Sequence, residues 1–396
     1  MQGPIRVLVL NQISQHGLDR LPAERYLVGK EVAHPDAILV RSADLHSMDI
    51  PSSVRAIGRA GAGTNNIPVA AMSARGVPVF NAPGANANAV KELVIAGMLM
   101  AARNIPAALR FVTALDPAAP DMDRAVESGK KAFAGFELAG HTLGVIGLGR
   151  IGCLVADAAI RLGMNVIGYD PEITVDAAWS LPSQVKKAHS IPEILKTAHF
   201  VTLHVPLVAA TRHLIGAATL PQMRHGAVLL NFSRDGVVDE QAVLDALEAG
   251  RLRHYVCDFP SAAINGHARV TALPHLGAST REAEDNCAKM VVDQMRDYFE
   301  NGNVRNAVNF PDAVAPRESG YRVAIANANV DGTGWAEHRQ HAEQVARRDG
   351  LHDRRRRQSG ARERDCLDRR DRRRAGRALP SAAGLKPGSR RRASLQ

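Results

Sequence analysis

Short apolar runs recur along the chain, each closed by glycine, proline or a polar turn. Ile5–Leu10, Ala37–Arg41, Val54–Gly58 and Val77–Asn81 read as buried strands. Val69–Arg75 has helical spacing and stops at Gly76. A longer apolar stretch, Ala89–Arg103, lies between Pro83-Gly84 and Pro106 and reads as one helix. Strand signals then resume at Thr142–Gly147, Asn165–Tyr169, Phe200–His204, Ala227–Phe232 and His254–Asp258. Asp285–Glu300 is an amphipathic helix that ends at Asn301-Gly302. Strands alternating with helices pair in parallel, so the pattern predicts an α/β protein with two parallel sheets. Ligands of such sheets bind outside the carboxyl ends of the strands, which places a site in the cleft between them.

One junction carries chemistry. The run Leu143-Gly144-Val145-Ile146 passes into a helical segment through Gly147-Leu148-Gly149-Arg150-Ile151-Gly152. The first glycine makes the turn, the second admits a pyrophosphate to the backbone, and the third lets helix and strand pack closely. The free N–H groups at the helix start favour an anion. Asp170 ends the next strand, where a carboxylate accepts both hydroxyls of an adenosine ribose and repels a 2'-phosphate. Pro171 follows it, not an arginine, so NAD is the expected cofactor. Both halves are therefore expected to be Rossmann-like. A flavodoxin-like substrate domain would comprise 1–85 and 286–315, and an NAD-binding domain 86–285.

Composition narrows the class. No apolar run reaches membrane-spanning length, and Met1–Asn11 has no export signal, so a cytoplasmic protein without membrane contact is expected. The cysteines at 153, 257, 287 and 366 have neither C-x-x-C nor metal spacing, and no metal site is expected. The net charge of +10 is misleading. Residues 331–396 hold 18 Arg and one Lys against nine Asp or Glu, while 1–330 hold 31 basic and 31 acidic residues. The body is neutral, so a basic surface is no clue to its role.

Several segments resemble the D-2-hydroxyacid dehydrogenases, most closely those that act on 3-phosphoglycerate. They are Gly58-Arg59-Ala60-Gly61-Ala62-Gly63-Thr64-Asn65-Asn66-Ile67, Phe80–Asn88, Glu137–Leu143, His204-Val205-Pro206-Leu207 with Thr211, Asn231–Asp239 and Pro274-His275-Leu276-Gly277-Ala278-Ser279-Thr280. They run in family order from about residue 5 to residue 315. The resemblance implies oxidation of 3-phosphoglycerate with NAD, in the first step of serine synthesis. A glyoxylate or hydroxypyruvate reductase, and an NAD-sensing corepressor-like protein, are the alternatives.

The resemblance also assigns roles. His275 would be the base that takes the hydroxyl proton, since an imidazole titrates near neutrality. Arg234, after the strand Ala227–Phe232, would hold the carboxylate and polarise the adjacent carbonyl. Asp258 would contact the nicotinamide carboxamide. Val205, Pro206, Thr211, Ser233 and Gly277 would complete the cofactor site. The turns Gly61-Ala62-Gly63 and Gly84–Asn88, including Asn86, offer N–H groups to a carboxylate or phosphate. Arg41, Arg59 and Lys91 are candidate phosphate ligands, with a solvated surface charge as the other reading of Arg41 and Lys91. A homodimer is expected through the apolar helix Ala89–Arg103.

Two departures stand out. The family has a carboxylate just after Asp-Phe-Pro that orients the catalytic histidine. Here Asp258-Phe259-Pro260 runs into Ser261-Ala262-Ala263-Ile264, with no acid until Glu282. The phosphoglycerate branch commonly continues into a serine-binding ACT domain, and 316–330 resemble a linker and its first strand, Tyr321–Val330. The pattern then gives way to an arginine-rich segment, 331–396, expected to be disordered. A frameshift near codon 330 accounts for the break, the alternative being a natural arm that binds nucleic acid non-specifically.

Overall fold

The computed structural model describes residues 3–118 and 120–316. Five strands form the first sheet: β1 (Ile5–Val9), β2 (Tyr26–Gly29), β3 (Ala37–Val40), β4 (Ala56–Arg59) and β5 (Val79–Phe80). Seven form the second: β6 (Thr142–Ile146), β7 (Asn165–Tyr169), β8 (Lys186–Lys187), β9 (Phe200–Leu203), β10 (Ala227–Asn231), β11 (Leu252–Cys257) and β12 (Val270–Ala272). The orders are β2-β1-β3-β4-β5 and β12-β11-β10-β9-β6-β7-β8, and every pairing is parallel. The central strands β3, β9 and β10 are buried at every position, as continuous apolar runs between two helical layers require.

Each sheet has its own apolar core, and one long helix serves each. The helix Arg281–Asn301 lays Cys287, Val291, Val292 and Met295 on the first sheet, with Val7, Leu39 and Phe80. Its Thr280 N-cap accepts the N–H of Ala283, and Gly302 closes it in the left-handed region at φ 71°. The segment after it runs back along β5, where Val308 N–H donates to Val79 O at 2.9 Å. The chain thus returns to the first sheet. The helix Ala87–Ala102 packs Val90, Val94 and Met98 against Val145, Val228 and Val256 of the second sheet.

That last contact corrects one expectation. The apolar side of Ala87–Ala102 is largely consumed by the second sheet, so it is not the surplus apolar surface. The surplus lies on the next helix, Ile105–Thr113, which buries no residue and exposes Ile105, Leu109 and Val112. Strand limits also shift: β4 begins at Ala56, so Arg59 is its last residue. The expectations for 316–330, apart from Pro316, and for 331–396 lie outside the described residues.

Candidate active site

The glycine junction behaves as the spacing requires. Gly147 has φ 95°, and a Cβ there would sit 2.6 Å from His204 O. A Cβ on Gly152 would overlap the carbonyl oxygen of Gly147, which ties the helix start to the strand end. Above Gly149 nothing lies within 4 Å. It caps the helix Arg150–Arg161 without any side-chain bond, so the first N–H groups of that helix are available. Asp170 stands at the end of β7. Its two oxygens accept the N–H groups of Leu148 at 2.8 Å and Glu172 at 2.9 Å, which pins the glycine loop. This set fits a dinucleotide: an open backbone cradle with a carboxylate at the adjacent strand end.

The loop after β9 closes over this junction. The Cγ1 of Val205 would be 3.0 Å from a Cβ on Gly147, so that glycine alone leaves room. Thr211 Oγ1 donates to Pro206 O at 2.5 Å and accepts from Val208 N–H at 2.9 Å, which holds the turn. His204 bonds Thr202 Oγ1 through Nε2 at 3.0 Å, and its Nδ1 is shut off from solvent without a partner. Burial pushes its pKa down to about 3, so the ring is neutral. Ser233 is buried, its N–H and hydroxyl both donating to Asn231 Oδ1.

On the substrate side the two sheets meet through arginines. A Cβ on Gly63 would lie 3.5 Å from Arg234 Nη2 and 4.0 Å from Arg59 Nη1, so both guanidiniums reach the Gly61-Ala62-Gly63 turn. Neither has a carboxylate partner among the described residues. Burial, together with the charges of Arg234 and Arg41, holds the Arg59 guanidinium below its usual range. Arg150 lies against Gly84, where any side chain would collide with it. Asn86 keeps a buried Oδ1 without a partner.

Two of the candidate phosphate ligands are already engaged. Arg41 forms an ion pair with Glu284 at 2.7 Å. Lys91 donates to Asn88 Oδ1 at 2.7 Å and lies 3.6 Å from Glu92. Arg59 is left as the cation of the three that is both buried and unpaired.

His275 sits in a cleft of about 510 Å³ with Asp258, Phe259, Ser261, Asp239 and Glu240. Its φ of 57° turns the chain sharply, and its ring meets Phe259 edge-on at 5.1 Å. Asp258 holds this turn: its carboxylate accepts Leu276 N–H and Gly277 N–H, each at 2.7 Å. It is 2% exposed, and burial raises its pKa despite those bonds. Both oxygens are thus committed to the loop, a task the sequence did not suggest. Sequence reasoning also missed Glu240. It lies 21 residues before Ser261, yet its Oε2 accepts the Ser261 hydroxyl at 2.6 Å. The N-cap Asp239, which accepts Ala242 N–H, starts the helix that carries it.

Comparisons with known proteins agree with this arrangement. Residues 95–277 match the family described as D-isomer specific 2-hydroxyacid dehydrogenase, NAD binding domain. The chain belongs to the D-2-hydroxyacid dehydrogenase family, and its second sheet is the family's NAD-binding domain. Its curated relatives include the D-3-phosphoglycerate dehydrogenase of Haemophilus influenzae, 32% identical over 80% of each chain. That of Methanocaldococcus jannaschii is 38% identical over 72% of this chain and 53% of its own length. The chain spans about half to three fifths of the length of several such relatives. Among solved structures, the TT0316 protein of Thermus thermophilus is 26% identical with a TM-score of 0.64, covering 76% of this chain and 99% of that one. An NAD+-bound 3-phosphoglycerate dehydrogenase of Entamoeba histolytica shares the fold at a TM-score of 0.60 and 24% identity, over 78% of this chain and 99% of its own.

Proposed function

We propose that the chain oxidises 3-phosphoglycerate to 3-phosphohydroxypyruvate with NAD, as a cytoplasmic homodimer whose substrate domain is 1–85 with 286–315 and whose cofactor domain is 86–285. The observation that carries this reading is the pair Arg59 and Arg234 on the Gly61-Ala62-Gly63 turn. Two unpaired guanidiniums suit a substrate with two anionic ends, and a simple hydroxy acid needs only one. NAD, held by Gly147–Gly152 and Asp170, supplies the hydride acceptor for C2. Arg234 binds the carboxylate, and its charge favours the carbonyl oxygen that develops at C2. Arg59 holds the phosphate. His275 takes the C2 hydroxyl proton on its imidazole and gives it back in the reverse direction. Asp258 keeps that ring in place through the backbone.

Initial rates with NAD separate the substrates. Turnover of 3-phosphoglycerate should exceed that of D-glycerate, D-lactate or glycolate by on the order of 100-fold or more in kcat/KM, the scale of a buried charged contact. A preference for an unphosphorylated acid would overturn the assignment. Tight NAD binding with no hydroxy acid oxidised would point to a sensing role instead. Exposed Ile105, Leu109 and Val112 support the homodimer, which sedimentation of the chain tests.

A further inference from the structure

The second sheet has a pocket at its other edge. It holds about 400 Å³ beside the amino ends of β10 and β11, a strand's length (roughly 15–20 Å) from the His275 cleft. Arg110 reaches it from the helix Ile105–Thr113, Arg253 and His254 from β11, and Arg269 from the residue before β12. None of the residues lining it is acidic. Among the described residues, the three guanidiniums have neither a carboxylate within ion-pair distance nor a hydrogen-bond acceptor, and the Nε of Arg253 is closed off from solvent. The Arg253 guanidinium is held face-on over the Phe136 ring at 4.9 Å, so its position is set before any ligand arrives. The wall between the arginines is bare backbone at Gly226 and Gly250, above which nothing lies within 4 Å. Asn104 and Pro106 bring the amino end of the nine-residue helix Ile105–Thr113 to the rim, adding its partial positive charge.

Three cations kept together without a counter-charge repel one another, and the fold offers nothing to offset that repulsion. Burial and the charges of Arg253, Arg110 and Arg269 together drive the pKa of His254 to about 4, which reports the same uncompensated field. We infer that this pocket is a second anion site, for a phosphate group or a small molecule that carries one. Its planar forks match tetrahedral oxyanions, and its volume leaves room for a short organic stem. The site is independent of the dehydrogenase reading.

Calorimetric titration of the full chain with inorganic phosphate, against chloride at matched ionic strength, tests it. The reaction cleft also binds oxyanions, so the titration is run on Arg234→Gln as well as on the parent chain. Binding that survives Arg234→Gln should weaken at least tenfold in Arg110→Gln/Arg269→Gln and largely persist in Arg110→Lys/Arg269→Lys. NAD affinity, read by fluorescence, should stay within twofold in the double variants, which shows that they fold. The inference is overturned if phosphate binds only through Arg234, or if the glutamine variant binds it unchanged. It is equally overturned if phosphate is silent while that variant raises the dissociation constant of the dimer, because the arginines then face carboxylates of a second copy.

Discussion

Asp258 and His275 are joined through the backbone, not through their side chains. The N–H of His275 donates to the carbonyl of Asp258 at 3.1 Å, while the Asp258 carboxylate takes the next two N–H groups. The carboxylate is the frame of the turn on which the imidazole rides. Asp258→Ala would leave two N–H groups of a partly closed turn without partners, a loss of about 2–3 kcal/mol by the usual cost of orphaned donors. Thermal unfolding should show that loss, and kcat should fall with it because the ring is no longer held. Unchanged stability would mean that the turn stands without its frame.

His275 itself carries no such structural duty. Its ring is exposed and touches only Phe259 among aromatic neighbours. His275→Ala should lower kcat by about 10²–10⁴-fold, the range for a lost general base. The melting temperature and NAD affinity should be nearly unchanged. An equal loss of NAD binding would argue against the assignment.

The glycines of the cofactor loop should separate by role. Gly152→Ala drives a Cβ into the carbonyl of Gly147 and should destabilise by about 3 kcal/mol or more, as overpacking against rigid backbone does. Gly149→Ala meets open space and should stay within about 0.5 kcal/mol of the parent. Its NAD dissociation constant should still rise on the order of tenfold, because the methyl occupies the path of the pyrophosphate. Equal effects of both changes in unfolding and in NAD titration would refute this division.

Asp170 has a double task. Asp170→Ala removes the charge that repels a 2'-phosphate, so the ratio of NAD to NADP affinity should shrink. It also frees the N–H of Leu148 inside the glycine loop. NAD binding should therefore weaken in absolute terms as well, whereas a purely electrostatic role would leave it close to the parent value. Titrations with both cofactors distinguish the two.

The acid limit of stability should reflect His204 and His254, with pKa values pushed to about 3 and about 4. Both are depressed in the folded chain, so below pH 6.5 the unfolded chain binds more protons than the folded one. Stability is then present above that pH and is lost as pH falls towards the folded values. Between pH 7 and 5 each ring should contribute a loss of about 1–2 kcal/mol, following the linkage slope of one proton. Denaturant titrations should show a shallower slope in His204→Gln, and an identical slope would exclude this ring as a source.

Local order was open to reading from the chain alone. Strands β6, β7, β9 and β10 lie within a residue or so of their apolar runs, because a buried parallel strand needs a continuous run that few other elements share. The glycine junction and Asp170 follow from spacing, since the backbone conformations at Gly147 and Gly152 exclude other residues whatever surrounds them. Edge strands were not legible: β2 (Tyr26–Gly29) is half exposed, and β8 is two lysines that owe their conformation to pairing with β7. The partner of each charge was equally hidden. Arg41 finds Glu284 across 243 positions of sequence, Ser261 finds Glu240, and three arginines gather at one pocket with no acid among them. Residue type and local spacing decide which elements form and which chemistry is available. Which cations are neutralised and which remain free depends on the packing of distant elements, because a charge interacts with whatever the fold brings within a few ångströms.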